Sequence, residues 1–132
     1  QNITVLNDVK SIAIANPKTA PYGIASLEAI TNAGLLKNNQ SKFIYAENIS
    51  QTLQYVFVAA DVGLIAKSSL YAPKMKKFKN ENYYVNIDES LYTPILQGIA
   101  ALNEKKSTLL FYDFMSSKKA KKILVQYGYS VE

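Results

Sequence analysis

The chain has 132 residues, 48% of them hydrophobic, which is enough for one domain with a core of its own. It contains no Cys and no His, which excludes thiol catalysis, disulfides, Ser–His chemistry and the usual zinc ligands together. The net charge of +5 comes from 15 basic and 10 acidic residues, and every basic residue is lysine.

No apolar run approaches the ~18 residues that span a bilayer. No charged-then-apolar leader stands at Gln1, so the expectation is a chain whose signal peptide is already removed or was never attached. Two lysine runs, Lys74, Lys76, Lys77 and Lys79, then Lys118, Lys119, Lys121 and Lys122, read as solvated surface rather than as a nucleic-acid patch. Arg, the side chain that reads bases and phosphates with two parallel bonds, is absent.

Ser11 to Ala15 is a short apolar run ended by Asn16 and Pro17, a buried strand of a parallel sheet. Pro17 and Pro21 bracket a loop. Pro21 suits the first turn of a helix, where its missing N–H is not needed. Ile24, Leu27 and Ile30 follow at helical spacing, and Gly34 stops the helix. Phe43 to Ala46 predicts a second strand. Asn48 followed by Gln51 is a capping-box variant, and the helix it opens carries Ile49, Leu53, Val56 and Phe57 on one face. Asp61 to Ala66 predicts a third strand. This β-α-β-α-β order argues an α/β domain with a parallel sheet.

Lys67 to Asn82 reads as polar loop with one helical turn. Tyr83 to Ile87 predicts a fourth strand, Asp88 to Tyr92 a loop, and Thr93 to Leu102 an extended edge strand with Pro94 near its start. Two helices close the chain. Their stripes, Phe111, Phe114 and Met115, then Ala120, Ile123, Leu124 and Tyr127, read as core. Asp88 and Glu89 are neighbours without further acidic company and read as loop residues.

The two helix starts after Pro21 and Asn48 carry the functional expectation. Each follows the carboxyl end of a strand, the edge where open α/β sheets bind ligands. The first N–H groups of a helix lack intrahelical partners, and the peptide dipoles add partial positive charge there. Two such ends that converge suit a dianion without any cationic side chain. The expected donors are the backbone N–H groups of Tyr22 and Ile49, with Asn48 as cap and further candidate.

The stretch from Ala15 to Gly23, ANPKTAPYG, with Ala25, Ser26, Leu27 and Glu28 after it, resembles a segment of the molybdate-binding proteins of ABC transporters. Ala46 to Gln54, AENISQTLQ, resembles that family's second helix start, and Asp61 to Ser68, DVGLIAKS, the strand after it. Tyr92 to Gly98, YTPILQG, is similar to the return crossing between lobes; Phe111 to Ser117, FYDFMSS, with Tyr127 to Tyr129, is similar to the closing helices.

The resemblance implies a periplasmic-binding-protein type II-like lobe with a mostly parallel sheet flanked by helices. It implies a periplasmic receptor, not an enzyme, that captures molybdate or tungstate through neutral donors, without a cofactor and without a metal beyond the oxyanion. The implied partners are a small oxyanion and an ABC-transporter membrane permease, and no nucleic acid. Residues 1–90 would form the second lobe, and 91–132 the return crossing and the helices that pack on the first. Nothing in the chain matches the hydroxyl-rich loop that opens the family's first lobe, so exposed Phe and Leu would favour self-association. Some members place a Tyr hydroxyl at the position of Ala66, which this chain lacks. The alternatives that remain open are a binding protein for sulfate or phosphate, and the effector domain of a transcriptional regulator.

Overall fold

A computed structural model describes residues 2–78, 80 and 82–131. The chain divides into two compact units, residues 1–95 and 96–132.

The first unit is built on a three-stranded parallel sheet of order β2-β1-β3, with β1 at Ile12–Ala15, β2 at Phe43–Ala46 and β3 at Val62–Gly63. β1 is central and buried along its whole length, as its unbroken apolar sequence requires. Its register sets Ile12 opposite Phe43 and Ala15 opposite Ala46 on one side, and Ile12 opposite Val62 on the other. The third strand is shorter than the apolar run from Asp61 to Ala66 predicts. The Leu64 N–H still reaches the Ala13 carbonyl at 3.0 Å, and the chain then enters a 3-10 turn at Lys67–Tyr71.

Helix α1 spans Pro21–Asn32, and Gly34 follows with φ 72, the left-handed conformation that ends helices. Its buried residues are Gly23, Ala25, Ser26, Ala29 and Ile30. Ile24, expected on the core face, is half exposed instead. The small side chains face the sheet because the helix lies close against it. A Cβ at Gly23 would lie 2.7 Å from the Asn16 carbonyl carbon and 2.7 Å from the Pro17 nitrogen. Leu6, Ile12, Ile14, Ile30 and Leu35 make the core cluster, and each such aliphatic side chain contributes ~1.5–3 kcal/mol by leaving water.

Two polar arrangements complete this unit. Asn39, at the end of α2 (Leu36–Asn39), is fully buried; its Nδ2 donates to Asn7 Oδ1 at 2.9 Å and to the Leu35 carbonyl at 2.8 Å. Lys42 Nζ donates to Asn39 Oδ1 at 2.9 Å and to the carbonyls of Leu6 and Asn7 at 3.0 and 3.1 Å. This ties the amino-terminal 3-10 turn, Ile3–Asp8, to the α2 region. At the amino edge of β1, Asp61 Oδ2 accepts the N–H groups of Lys10 and Ser11 at 2.8 and 3.0 Å.

The Lys10 amide, then the Ser11 amide, hold the Asp61 carboxyl below its ordinary range. The folded chain therefore favours the ionised form. The stabilisation is complete above the usual aspartate value near ~4 and is lost as pH falls through the lowered folded value. In urea titrations, Asp61→Asn should flatten the loss of stability from about pH 4 downwards; an unchanged slope would discount this contact.

Residues 83–87 and 93–102 form no strand. Both have extended-type sequences, but a strand exists only where another strand takes its ladder bonds. Asp88 instead caps a 3-10 turn at Glu89–Leu91: its Oδ1 accepts the Ser90 N–H at 2.9 Å.

The second unit holds α4, Lys106–Met115, and α5, Lys118–Gln126. Ser117 caps α5 by accepting the Ala120 N–H at 3.2 Å, and Gly128 follows it with φ 83. The apolar stripes here are not core, contrary to the sequence expectation. Phe111, Phe114 and Ile123 are exposed, Leu124 is half-buried, and Ala120 alone among the described residues of this unit is buried. Two short helices can cover only the inner sides of each other, and below ~40 residues a chain rarely encloses a core. Lys79, of the first lysine run, lies outside the described residues.

Candidate functional site

The carboxyl edge of the sheet is organised by two loops. One runs from β1 to α1 and the other from β2 to α3, which spans Ile49–Val58. Since β1 and β2 are adjacent and parallel, both loops leave the same edge. They are bonded together there: the Asn16 N–H donates to the Ala46 carbonyl at 2.7 Å, and the Thr19 hydroxyl reaches the Glu47 carbonyl at 3.4 Å. The Asn16 carbonyl also receives the Thr19 and Ala20 amides at 3.1 and 2.9 Å, and Asn16 Oδ1 receives the Lys18 amide at 3.0 Å. The Pro-bracketed loop is thus folded on its own residues, and both helix starts lie at the same edge of the sheet.

At α1, Ala20 is the N-cap and Pro21 the first helical residue, with no side-chain cap. Proline supplies no N–H, so Tyr22, half-buried, carries the first amide of the helix. The Gly23 and Ile24 amides turn back to the Ala20 carbonyl at 2.9 and 3.2 Å. At α3, Asn48 is the N-cap: its Oδ1 accepts the Gln51 N–H at 2.9 Å, and its carbonyl accepts the Thr52 N–H at 3.0 Å. Gln51 Oε1 completes the box on the Glu47 N–H at 2.7 Å, one residue earlier than the standard reciprocal bond. Ile49, half-buried, is the first residue of this helix. By position its amide and that of Ser50 have no acceptor within the helix.

Tyr22, Asn48 and Ile49 therefore all lie at one edge of the sheet, on two helix starts whose loops share hydrogen bonds. Asn48 serves as a cap. Ala66 is buried and offers no hydroxyl. Sequence reading missed the Thr19 hydroxyl, which sits between the loops; a hydroxyl residue inside a loop fixed by two prolines was the available signal. It also missed Gly23, whose lack of a side chain lets the first turn of α1 sit against Asn16 and Pro17.

An open depression of about 360 Å³ is lined by Pro17, Ile24, Leu27, Glu28, Thr31 and Asn32. It runs along the side of α1 from Pro17, in the loop before the helix, to Asn32 at its end, and neither Tyr22 nor Ile49 lines it. Of the clearly shifted titrating groups, Asp61 lies at the opposite end of β1 and Asp88 beyond the sheet. The Ser90 amide lowers the Asp88 carboxyl, and desolvation, then the Glu89 charge, raises the Tyr92 phenol.

The family model described as bacterial extracellular solute-binding protein matches residues 2–130. The chain belongs to that family. Within the family it is 32% identical over 130 residues to the molybdate-binding protein ModA of Azotobacter vinelandii, covering 96% of this chain and 50% of the relative. It is 31% identical to the molybdate-binding protein ModA of Rhodobacter capsulatus, covering 95% of this chain and 49% of the relative. Among solved structures, the Azotobacter vinelandii periplasmic molybdate-binding protein superposes with a TM-score of 0.75 at 27% identity, over 100% of this chain and 60% of the other. The substrate binding domain of a putative molybdenum ABC transporter from Clostridium difficile gives 0.70 at 25% identity, over 100% and 58%. The chain spans about half the length of the curated relatives it matches. Its α/β architecture with a parallel sheet is that of these periplasmic binding proteins.

Proposed function

We propose that the chain contributes one half of an oxyanion site in a receptor for molybdate or tungstate, serving an ABC-transporter permease from the periplasm. The observation that carries the reading is the pair of helix starts on adjacent parallel strands, joined through Asn16–Ala46 and Thr19–Glu47, in a chain of the solute-binding family. The amides of Tyr22 and Ile49 are the donors, and Asn48 holds the second helix start in place. Such a site offers only hydrogens. A fully deprotonated tetrahedral dianion suits it, while an anion that keeps a proton brings a donor where an acceptor is needed. The sequence supplies no His or Cys for a nucleophile–base pair, so the protein is read as a binder and not an enzyme, and as no binder of nucleic acid.

Residues 1–90 then act as the second lobe, and 91–132 as the crossing and the helices that pack on a first lobe. The exposed Phe111, Phe114 and Ile123 are the surface for that packing; uncovered, they promote self-association.

Two hydrogen bonds to charged oxygens contribute ~3–6 kcal/mol together, before the cost of immobilising the ion. The 132-residue chain alone should therefore bind molybdate in the millimolar range or weaker, since ~4 kcal/mol corresponds to about 1 mM. In an NMR titration, molybdate should move the Tyr22 and Ile49 amide resonances along one binding curve, with sulfate moving them less. Resonances that stay fixed, or that follow different curves, would remove the shared site. Nanomolar calorimetric binding would instead refute the division of ligands between two lobes.

A further inference from the structure

Helix α1 carries more than the Tyr22 donor. On its outer side Glu28 and Asn32, one turn apart, reach across to a segment more than fifty residues later. Glu28 Oε2 accepts the Thr93 N–H at 2.7 Å, and Asn32 Nδ2 donates to the Leu91 carbonyl at 2.9 Å. Leu91 closes the 3-10 turn at Glu89–Leu91. Beyond it no strand ladder includes residues 92–102, and the first compact unit ends at Ile95. Thr93 is followed by Pro94, which has no N–H and restricts Thr93 to extended backbone. The last amide before that proline is thus held by a carboxylate, a charge-assisted bond of the stronger class. Neighbouring carbonyl and amide groups are gripped from one helix face by one acceptor and one donor, which fixes both position and direction of the strand-like segment.

We propose that Glu28 and Asn32 are positioning residues: a two-point clamp that fixes where the chain leaves the first unit and, through the same helix, sets the first turn of α1 that presents the Tyr22 amide. The second half of this statement rests on the oxyanion reading above; the first half does not. The clamp is rigid because both grips lie on one helix, so a shift of the 91–93 segment must either break a hydrogen bond or carry α1 with it. Glu28 and Asn32 touch no ligand in this scheme.

The test uses the full 132-residue chain, amide hydrogen exchange by NMR, and sodium molybdate as probe. Thr93 is exposed, so its amide has no burial to protect it apart from the Glu28 bond. Its exchange should be slowed in the wild type, at least tenfold faster in Glu28→Ala, and largely slow again in Glu28→Gln, which keeps an acceptor. The Ile14 amide in the central strand should be unchanged in both, reporting an intact fold. Unprotected Thr93 in the wild type, or protection that survives Glu28→Ala, overturns the clamp. With molybdate, the Tyr22 amide shift should need several-fold more anion in Glu28→Ala than in wild type or Glu28→Gln. Equal titrations in all three overturn the positioning of the donor while leaving the tether. No Tyr22 shift even in the wild type overturns the oxyanion reading, and with it the positioning role, without touching the Thr93 result.

Discussion

Gly23→Ala should cost about 1–3 kcal/mol of stability, the usual penalty for overpacking a closed site, and abolish any molybdate-dependent shift of the Tyr22 amide. The added Cβ would meet the Ala15 carbonyl oxygen, and would lie 2.7 Å from the Asn16 carbonyl carbon and the Pro17 nitrogen. All of these are backbone atoms, so no side chain can swing away to relieve the clash. The Asn16 carbonyl is already committed to Thr19 and Ala20, and the Asn16 amide to Ala46. Relief therefore requires α1 to withdraw from the loop that aligns its first turn with the start of α3. Gly98 supplies the control, because a Cβ added there would meet nothing within 4 Å. Gly98→Ala should leave the urea midpoint where it is. A Gly23→Ala midpoint equal to that of Gly98→Ala would mean that the helix start is looser than its packing suggests.

Asn39→Ala should lower stability by about 2–4 kcal/mol, the sum of an uncompensated bond to a charged group and of neutral bonds in a buried place. The substitution removes one of three acceptors from the Lys42 ammonium and leaves Asn7 Oδ1 and the Leu35 carbonyl without the Nδ2 donor. Because Asn39 is fully buried, water cannot replace what is lost without opening the 3-10 turn at Ile3–Asp8. The network predicts strong coupling. In a double-mutant cycle with Lys42→Met, the two losses should fall short of additivity by at least ~1 kcal/mol, read from urea unfolding of the four chains. Additive losses would reduce Lys42 to a surface residue with incidental contacts.

The sequence was most legible where local chemistry is self-sufficient. The unbroken apolar run at Ile12–Ala15, the proline at the head of α1, the Asn48–Gln51 box and the stop at Gly34 each fix their neighbours within a few residues, and each stands where the sequence reading places it. The order β1-α1-β2-α3-β3 then follows, and with it the edge at which both helix starts lie. Tyr22, Asn48 and Ile49 could be placed at that edge from sequence because all three are defined by chain position at a helix start, not by a side chain that must travel.

The failures share one cause. Tyr83–Ile87 and Thr93–Leu102 have the composition of strands but no partner strand among the described residues, and a ladder is a property of two segments. Ile24 was misplaced because α1 faces the sheet with Gly23, Ala25 and Ala29, a choice made by the closeness of the loop at Asn16 and invisible in hydrophobic spacing. Phe111, Phe114 and Ile123 have the periodicity of a core, but periodicity gives a face, not its cover.

Local sequence thus determined the class of fold and the helix starts. The tertiary structure alone decided the rest: the buried Asn39–Lys42 network, the Asp61 grip on the first strand, the Thr19 bridge and the Glu28–Asn32 clamp. Each joins residues separated by loops or whole elements, so its geometry exists only after the intervening chain has folded and the entropy of closing that loop has been overcome.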